Sequence, residues 1–90
     1  MKIVSNLELV AKALKTDGLK PMERLIYAFI ALKSNENKEY HEGLKKIGEY
    51  LSLEYKTIFY STKSLKNKGL LTIQKRKNEE NRYTNCYILI

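Results

Sequence analysis

The run from Tyr55 to Lys68 carries four lysines and three aromatic residues and contains no carboxylate. Lysine ammonium groups bond phosphate oxygens or the acceptor edge of guanine, and tyrosine hydroxyls can reach the same kinds of atom. Positions three and four residues apart share one side of a helix, so these cations and rings can form one contiguous outward face. We predict that this face contacts duplex DNA through Tyr55, Lys56, Thr57, Phe59, Tyr60, Lys63 and Lys66.

A second group of cations lies further along the chain, at both ends of a polar segment suited to a hairpin tip. Lys75, Arg76 and Lys77 precede this segment, and Arg82 ends it. A hairpin tip can lie along the phosphate backbone or in the minor groove, where cations match the negative potential. We predict that these four side chains contact DNA. The acidic pair at 79–80 opposes deep insertion, and a solvated charged hairpin is the alternative.

The aromatic residues of the first run allow another interpretation. An exposed Phe59 is costly unless it covers the core or touches thymine methyl groups. Tyr55, Phe59 and Tyr60 could instead pack against the N-terminal helix of the same domain, which would leave the lysines as a solvated face. The absence of acidic residues over the whole run favours the DNA-binding interpretation.

No other set of residues has the spacing of a catalytic or metal site. His41 is the only histidine, and its nearest acidic residues are Glu39 and Glu42. No cysteine or aspartate stands at ligand spacing from it, so the sequence shows no metal-ligand set. Cys86 is the only cysteine, so an internal disulfide is excluded, and its strand-like segment offers no evident base. The chain also lacks a glycine-rich phosphate loop. We therefore predict no enzyme activity, no metal and no cofactor.

Length and charge are consistent with one small binding domain. Ninety residues fit a single domain with one core and little room for an enclosed active site. The chain carries 17 Lys and Arg against 10 Asp and Glu, a net charge of +7. Residues 1–42 hold seven basic and six acidic side chains, whereas residues 43–90 hold ten and four. The positive excess therefore belongs to the half that contains both cation groups.

The apolar segments are too short for a membrane protein. The longest runs from Leu25 to Leu32 and has eight residues, against about 20 for a transmembrane helix. Met1-Lys2 leads into a short mixed segment instead of the apolar stretch of a signal peptide. We expect a cytoplasmic protein with no membrane partner and no evident small-molecule ligand.

Apolar spacing in the first half predicts two helices. Leu7, Val10, Ala11 and Leu14 recur at helical spacing and a turn follows at 17–18, which predicts a helix over residues 5–15. Residues 2–4 could form a short extended arm. A proline can occupy the first helical position, so Pro21 begins a second helix, over residues 21–33. The apolar face of that helix is predicted to be Leu25, Ile26, Ala28, Phe29 and Leu32.

The second half predicts two helices joined by a short break and then two strands. Leu44, Ile47 and Leu51 indicate a helix over 42–51, after one short strand at 38–40. A break of three residues precedes a helix over 55–68, which ends in Lys68-Gly69, a cation followed by a glycine suited to the left-handed position. Strands are predicted at 70–74 and 83–90. The inward stripe of the helix over 55–68 is predicted to be Ile58, Ser61, Thr62 and Leu65.

Short motifs from Leu19 onward resemble the winged helix-turn-helix domains of phage and plasmid replication-initiation proteins and related bacterial regulators. The resemblance covers about 70 of the 90 residues. The matching segments are Leu19-Lys20-Pro21-Met22-Glu23-Arg24, Thr57-Ile58, Leu65, Lys68-Gly69-Leu70-Leu71 and Thr84-Asn85-Cys86-Tyr87.

The resemblance implies a mostly helical α+β fold in a single domain over residues 1–90. This fold is a winged helix-turn-helix of three core helices, with an extra N-terminal helix at 5–15 and a C-terminal β-hairpin wing at 70–90. The implied function is sequence-specific binding of double-stranded DNA by a small transcriptional regulator or a replication or recombination accessory protein. Winged helices also serve as protein-binding adaptors and phage-encoded inhibitors, so a protein-binding module is the alternative.

One such module buries little surface on DNA, so useful specificity calls for a homodimer on two half-sites. Leu7, Val10 and Leu14 of the N-terminal helix are the predicted dimer interface, although this helix could equally cap the monomer core. Two residues depart from the family pattern: Ser52 stands in the turn where glycine is frequent, and Glu54 where a serine cap is usual. Glutamate caps poorly, and we expect its charge to repel phosphate near this helix end.

Overall fold

The computed structural model describes residues 2–77 and 79–90, with side chains from Asn6 onward. About half of the chain is helical, and three antiparallel strands form one sheet, so the fold class is α+β. The elements follow the predicted order: α1 is Lys2–Lys15, α2 is Pro21–Lys33, β1 is Glu39–Tyr40, α3 is Leu44–Leu51, α4 is Tyr55–Asn67, β2 is Leu71–Lys77 and β3 is Tyr83–Leu89.

Three element boundaries differ from the predictions by two residues or more, and several others differ by one. α1 begins at Lys2, so the extended-arm alternative for residues 2–4 is wrong. α3 begins at Leu44 instead of residue 42, because Gly43 has extended backbone angles (φ −72°, ψ 167°) and stands just before the helix. β2 continues to Lys77 because residues 75–77 pair with residues 83–85 of β3. These three cations therefore lie in a paired strand and not in the hairpin tip.

α1 packs along α2 with a small residue and an amide facing inward. Ala13 and Asn6 are both buried. The last carbonyl groups of a helix lack intrahelical hydrogen-bond donors. At the C-terminal end of α2, the Asn6 side-chain amide is the donor. Its Nδ2 has two hydrogens and lies 2.9 Å from the carbonyl oxygen of Ala31, 2.8 Å from that of Leu32 and 2.9 Å from that of Ser34, so two of these acceptors share one hydrogen.

α2 buries a different face from the one predicted. Ile26, Tyr27 and Ile30 are buried, whereas Leu25 and Leu32 are exposed. Apolar residues surround most of this helix, so periodicity alone could not determine which side would meet α4 and the sheet. The helix therefore keeps a second apolar side that faces outward.

The turn between α3 and α4 depends on the backbone conformation of Ser52 and on the lack of a side chain at Gly48. Ser52 has left-handed angles (φ 55°, ψ 44°), a conformation that glycine adopts more readily. The backbone N–H groups of Ser52 and Leu53 both donate to the carbonyl oxygen of Gly48. A Cβ atom on Gly48 would lie 2.8 Å from the Leu53 carbonyl oxygen, so this close approach requires glycine. Glu54 then precedes α4 without a side-chain cap, as predicted.

α4 crosses α2 and presents one buried stripe to the core. Lys68 follows this helix, and its Nζ donates to Glu23 Oε1 of α2 at 2.6 Å. Gly69 has a φ of +76°, which confirms the predicted left-handed helix end. The stripe consists of Ile58, Ser61, Thr62 and Leu65, all buried as predicted.

The sheet has the order β1-β3-β2, and its two faces have different surroundings. Side chains alternate between the faces of a strand. The face packed on the helices, the core face, carries Leu71 and Tyr87, whereas the outer face carries Glu39 and Cys86. The predicted short strand at 38–40 is confirmed as β1, which pairs Tyr40 with Tyr87.

Candidate nucleic-acid interface

The side of α4 opposite its buried stripe forms the largest concentration of predicted contact residues. The rings of Tyr55, Phe59 and Tyr60 are 57%, 43% and 57% exposed. These exposures exclude the interpretation in which the rings are buried against the rest of the domain. The remaining predicted residues of the helix are Lys56, Lys63 and Lys66, which are exposed, and Thr57, which is half-buried.

The three exposed rings contact one another. The rings of Tyr55 and Phe59 are stacked with 6.3 Å between centroids and an interplanar angle of 19°. Phe59 meets Tyr60 edge to face, with 5.5 Å between centroids. Such contacts restrict the rotamers of the rings, so α4 presents them as a preformed surface that loses little conformational freedom on binding.

A groove separates α4 from the core face of the β2–β3 hairpin. Its volume is about 230 Å³. Lys63 and Lys66 stand on the α4 wall, and Asn85 stands on the opposite wall. The Asn85 amide donates to the Tyr87 hydroxyl at 3.2 Å, which orients its polar end within the groove. The groove thus combines an aromatic wall with ammonium and amide groups.

The four lysines of the run do not act as one group. Lys68 turns away from the exposed face and donates to Glu23 and to the carbonyl oxygen of Gly18. The hydrogen bond from Lys68 lowers the pKa of Glu23 from 4.5 to about 2, with a smaller contribution from Ser64. Lys68 therefore joins α4 to α2, and the exposed positive charge of the helix comes from Lys56, Lys63 and Lys66.

The cations of the hairpin divide between its two faces. Lys75 pairs with Asn85 and shares the groove side of the sheet, as does Lys77, whose Nζ lies 5.4 Å from the centroid of the Tyr83 ring. Arg76 points to the outer face, where its Nη1 lies 2.9 Å from Glu39 Oε2. Arg82 is exposed next to the hairpin turn. The structure thus brings Lys75 and Lys77 to the side of α4 and separates Arg76 from them.

The outer face of the sheet gathers three residues that sequence spacing did not connect. One ligand atom from each of Glu39, His41 and Cys86 lies within 4.8 Å of the others. Cys86 is 45 positions from His41 in the chain, and only the pairing of β1 with β3 brings them together. The cluster could hold a metal ion.

A second exposed surface, the leucine face, lies between α1 and α2. Leu7, Leu25 and Leu32 are 58%, 45% and 55% exposed, and Leu14 of the predicted dimer interface is 60% exposed. Leu7 and Leu14 thus lie outside the monomer core, whereas Val10 of the predicted interface packs against it and Ala13 of the same helix is part of it. The groove of about 260 Å³ on this face is lined by Leu7, Val10, Leu25, Ala28, Phe29, Leu32 and Leu51.

The chain was compared with protein-family models and with curated protein sequences. No protein-family model matches the chain, and no curated protein sequence does. Within the described ranges 2–77 and 79–90, no helix has both the length and the apolar character to cross a bilayer. The geometry and charge of the two exposed surfaces are therefore the basis for a functional proposal.

Proposed function

We propose that this protein is a winged helix-turn-helix protein that binds double-stranded DNA in a sequence-specific manner in the cytoplasm. It would act as a small transcriptional regulator or as a replication or recombination accessory protein of phage, plasmid or bacterial type. One observation carries the proposal: α4 exposes three lysines and three aromatic rings, without a carboxylate between residues 55 and 68. A surface of this composition suits a polyanion with apolar groups in its groove.

In the proposed complex α4 enters the major groove, which is about 12 Å wide and admits one helix. Lys56 and Lys63 lie near the centre of the exposed side, where their ammonium groups can reach phosphates or guanine edges. Phe59 and the adjoining rings can contact thymine methyl groups. Glu54 stands just before the helix, so its carboxylate disfavours a phosphate at that end.

The hairpin supplies the second set of contacts in this proposal. Lys75 and Lys77 lie on the groove side and are suited to phosphates that flank the bound helix. Arg76 is paired with Glu39, so its contribution requires that this ion pair open. We therefore assign the larger share of hairpin contacts to the two lysines, with Arg82 at the tip.

The leucine face is the proposed dimer interface. A single module buries about 600–1,000 Å² on DNA, which favours two modules on half-sites about one helical turn apart. A two-fold dimer brings the same surface of both partners together, so this surface must be complementary to itself. The apolar side chains of the leucine face meet this requirement because they carry no like charges that would repel. The second copy would cover Leu7, Leu25 and Leu32, which the monomer leaves exposed.

Binding of mixed genomic duplex fragments tests the function directly. The protein is titrated with the fragments at two salt concentrations, and the retained DNA is sequenced. We expect retention that weakens steeply with salt, because phosphate contacts release counterions, together with enrichment of a common sequence. Absence of retention at low salt would reject DNA binding.

The alternative, a protein-binding module, is favoured by the preformed aromatic surface of Tyr55, Phe59 and Tyr60. Aromatic residues are frequent at the centres of protein interfaces. The two functions differ in salt dependence, since a ring-centred protein interface weakens far less with added salt than a lysine-centred DNA interface.

A further inference from the structure

The outer face of the sheet, opposite the groove, carries the cluster of Glu39, His41 and Cys86. Glu39 pairs with Ile88 of β3, and Cys86 lies two positions from Ile88 on the same face. His41 follows β1 directly and lies two positions from Glu39, so its side chain projects to the same side. The nearest approach in the cluster is 3.2 Å, between His41 Nε2 and Glu39 Oε1.

Neighbouring side chains orient the ligand atoms of this cluster. Arg76 Nη1 holds Oε2 of Glu39 at 2.9 Å, which leaves Oε1 directed towards His41. Asn35 Nδ2 lies 3.4 Å from His41 Nε2 and 3.5 Å from Glu39 Oε1. The Arg76 contact to Oε2 is of the kind that commonly holds a carboxylate ligand, whereas the Asn35 contacts involve the two atoms that would bind the ion and would have to open. The positive charge of the Arg76 guanidinium also opposes a bound cation.

The surroundings of Cys86 are unusual for a structural cysteine. Its side chain is 1% exposed, yet it does not belong to the hydrophobic core cluster on the other face of the sheet. A free cysteine that only fills space is generally surrounded by apolar groups. Here the thiol lies beneath charged and polar side chains, an arrangement that packing alone does not account for.

We propose that Glu39, His41 and Cys86 bind a thiophilic divalent ion, Zn²⁺ in the first place. Sulfur, imidazole nitrogen and carboxylate oxygen are the ligand types of zinc sites, whereas Mg²⁺ and Ca²⁺ prefer oxygen alone. Three protein ligands leave the fourth tetrahedral position to water, on the side where His41 is exposed. Binding converts the Cys86 thiol to the thiolate, and the proton passes to solvent.

The geometry requires a small adjustment. Ligand bonds of about 2.0–2.3 Å place the atoms of a tetrahedral zinc site about 3.3–3.7 Å apart. The cluster spans up to 4.8 Å, so it must contract by about 1 Å. His41 is exposed and can supply this movement by side-chain rotation. The bound ion would then join the end of β1 to β3, which are otherwise paired over only two residues of β1.

The test uses the full chain, freed of metal with a chelator and titrated with Co²⁺ and then with Zn²⁺. We expect one equivalent of Co²⁺ to produce thiolate-to-cobalt charge-transfer absorption that Zn²⁺ abolishes by competition. Zn²⁺ should also raise the thermal unfolding midpoint, and Mg²⁺ should leave it unchanged. Absence of the charge-transfer absorption at several equivalents of Co²⁺ would overturn the proposal.

Variants separate the three ligands from general stability. Cys86→Ser should abolish the charge-transfer absorption, and His41→Gln should weaken Co²⁺ binding at least tenfold without unfolding, because His41 is exposed. Glu42→Gln removes a nearby carboxylate outside the cluster and should bind Co²⁺ as the unaltered chain does. Equal Co²⁺ affinity of His41→Gln and the unaltered chain would contradict the proposed ligand set. Circular dichroism of each variant verifies its folding, and none of these measurements depends on DNA binding.

Discussion

The α1–α2 pair and the α3–α4 pair both leave apolar side chains exposed, but they differ in the charge around them. The leucine face of α1 and α2 is lined entirely by apolar residues. On α4, the exposed rings alternate with Lys56, Lys63 and Lys66. An apolar surface without charge suits another apolar surface, whereas rings among cations suit the bases and phosphates of a nucleic acid. This difference in local charge is the reason why we propose different partners for two surfaces of similar apolar character.

Among the changes that test this difference in charge, removal of two lysines from α4 should have the largest effect. In Lys56→Ala/Lys63→Ala we expect DNA affinity to fall about 10- to 100-fold and the salt slope to flatten by up to about two, because two phosphate contacts are lost. Fluorescence anisotropy over a series of salt concentrations measures both quantities. Lys15→Ala/Lys20→Ala removes the same charge from exposed positions outside α4 and is the control. Equal losses in the two double variants would mean that only net charge matters.

Introduction of charge into the leucine face should break the proposed dimer. In Leu7→Lys/Leu32→Lys we expect the dimer dissociation constant to rise by about 100-fold, because buried ammonium groups would be unpaired. Sedimentation velocity at several concentrations measures the change. Thr72→Lys/Thr84→Lys adds equal charge to exposed positions on the outer face of the sheet and should leave association unchanged. A monomer at every concentration of the unaltered chain would exclude the leucine face as a dimer interface.

A methyl group at Gly48 should destabilise the α3–α4 pair. The added Cβ would lie 2.8 Å from the Leu53 carbonyl oxygen, so the turn must shift. We expect Gly48→Ala to lower the free energy of unfolding by about 1–2 kcal/mol, even though alanine favours the helix by up to about 1 kcal/mol. Urea denaturation measures this change. At Gly43 an added Cβ meets no atom within 4 Å, so a comparable loss in Gly43→Ala would contradict the steric explanation.

The ion pair between Glu23 and Lys68 joins the two helix pairs, and its contribution should depend on pH. The pKa of Glu23 is lowered from 4.5 to about 2, so the ionised carboxylate stabilises the folded chain above pH 4.5. This stabilisation is lost as the pH falls from about 4.5 to about 2, when the folded state takes up the proton.

We expect Glu23→Gln to cost about 1–2 kcal/mol at pH 7, a figure that allows for the partial exposure of Lys68. The difference from the unaltered chain should shrink below pH 4.5 in urea titrations. Glu36→Gln, at an exposed carboxylate, is the matched control. A difference that stays constant from pH 7 to pH 2 would show that charge is not its origin.

The smallest expected effect concerns Ser52, whose left-handed backbone is costly for a residue with a side chain. We expect Ser52→Gly to raise the free energy of unfolding by about 0.5–1 kcal/mol, after the greater freedom of glycine in the unfolded chain is allowed for. Ser52→Ala keeps the Cβ and should bring no gain. An equal gain in both variants would point to loss of the hydroxyl rather than to backbone strain.

The sequence predicts the orientation of an element well where charged residues mark one side of it. The lysines of α4 mark its exposed side, so the buried stripe with Ile58 and Leu65 could be predicted even though three aromatic rings share the exposed side. α2 is apolar on most sides, and its exposed Leu25 and Leu32 could be identified only after α4 had covered Ile26 and Ile30. The predicted element order is confirmed, while the winged helix-turn-helix assignment and the DNA contacts stay predictions.

The remaining differences arise from contacts between distant parts of the chain. Lys68 is predicted only as the cation that ends its helix, but it meets Glu23, 45 positions earlier. Arg76 stands between two lysines in sequence, yet strand alternation directs it to Glu39 on the other face. The approach of Cys86 to His41 likewise depends on the pairing of β1 with β3. Spacing along the chain contains no information about such pairs.

The Asn6 amide has a geometric consequence for any assembly built on the leucine face. Leucine contacts between two helices tolerate small sliding and rotation, whereas hydrogen bonds from one amide to the carbonyl groups that end α2 fix the position of α1 along its neighbour. α2 is in turn joined to the end of α4 by the ion pair of Glu23 and Lys68. In a two-fold dimer built on the leucine face, the distance between the two α4 helices would thus depend on where the Asn6 bonds hold α1. Together with the bonds from Arg24 to the carbonyl oxygens of Ala13 and Leu14, this amide would influence the spacing of the half-sites that such a dimer could span.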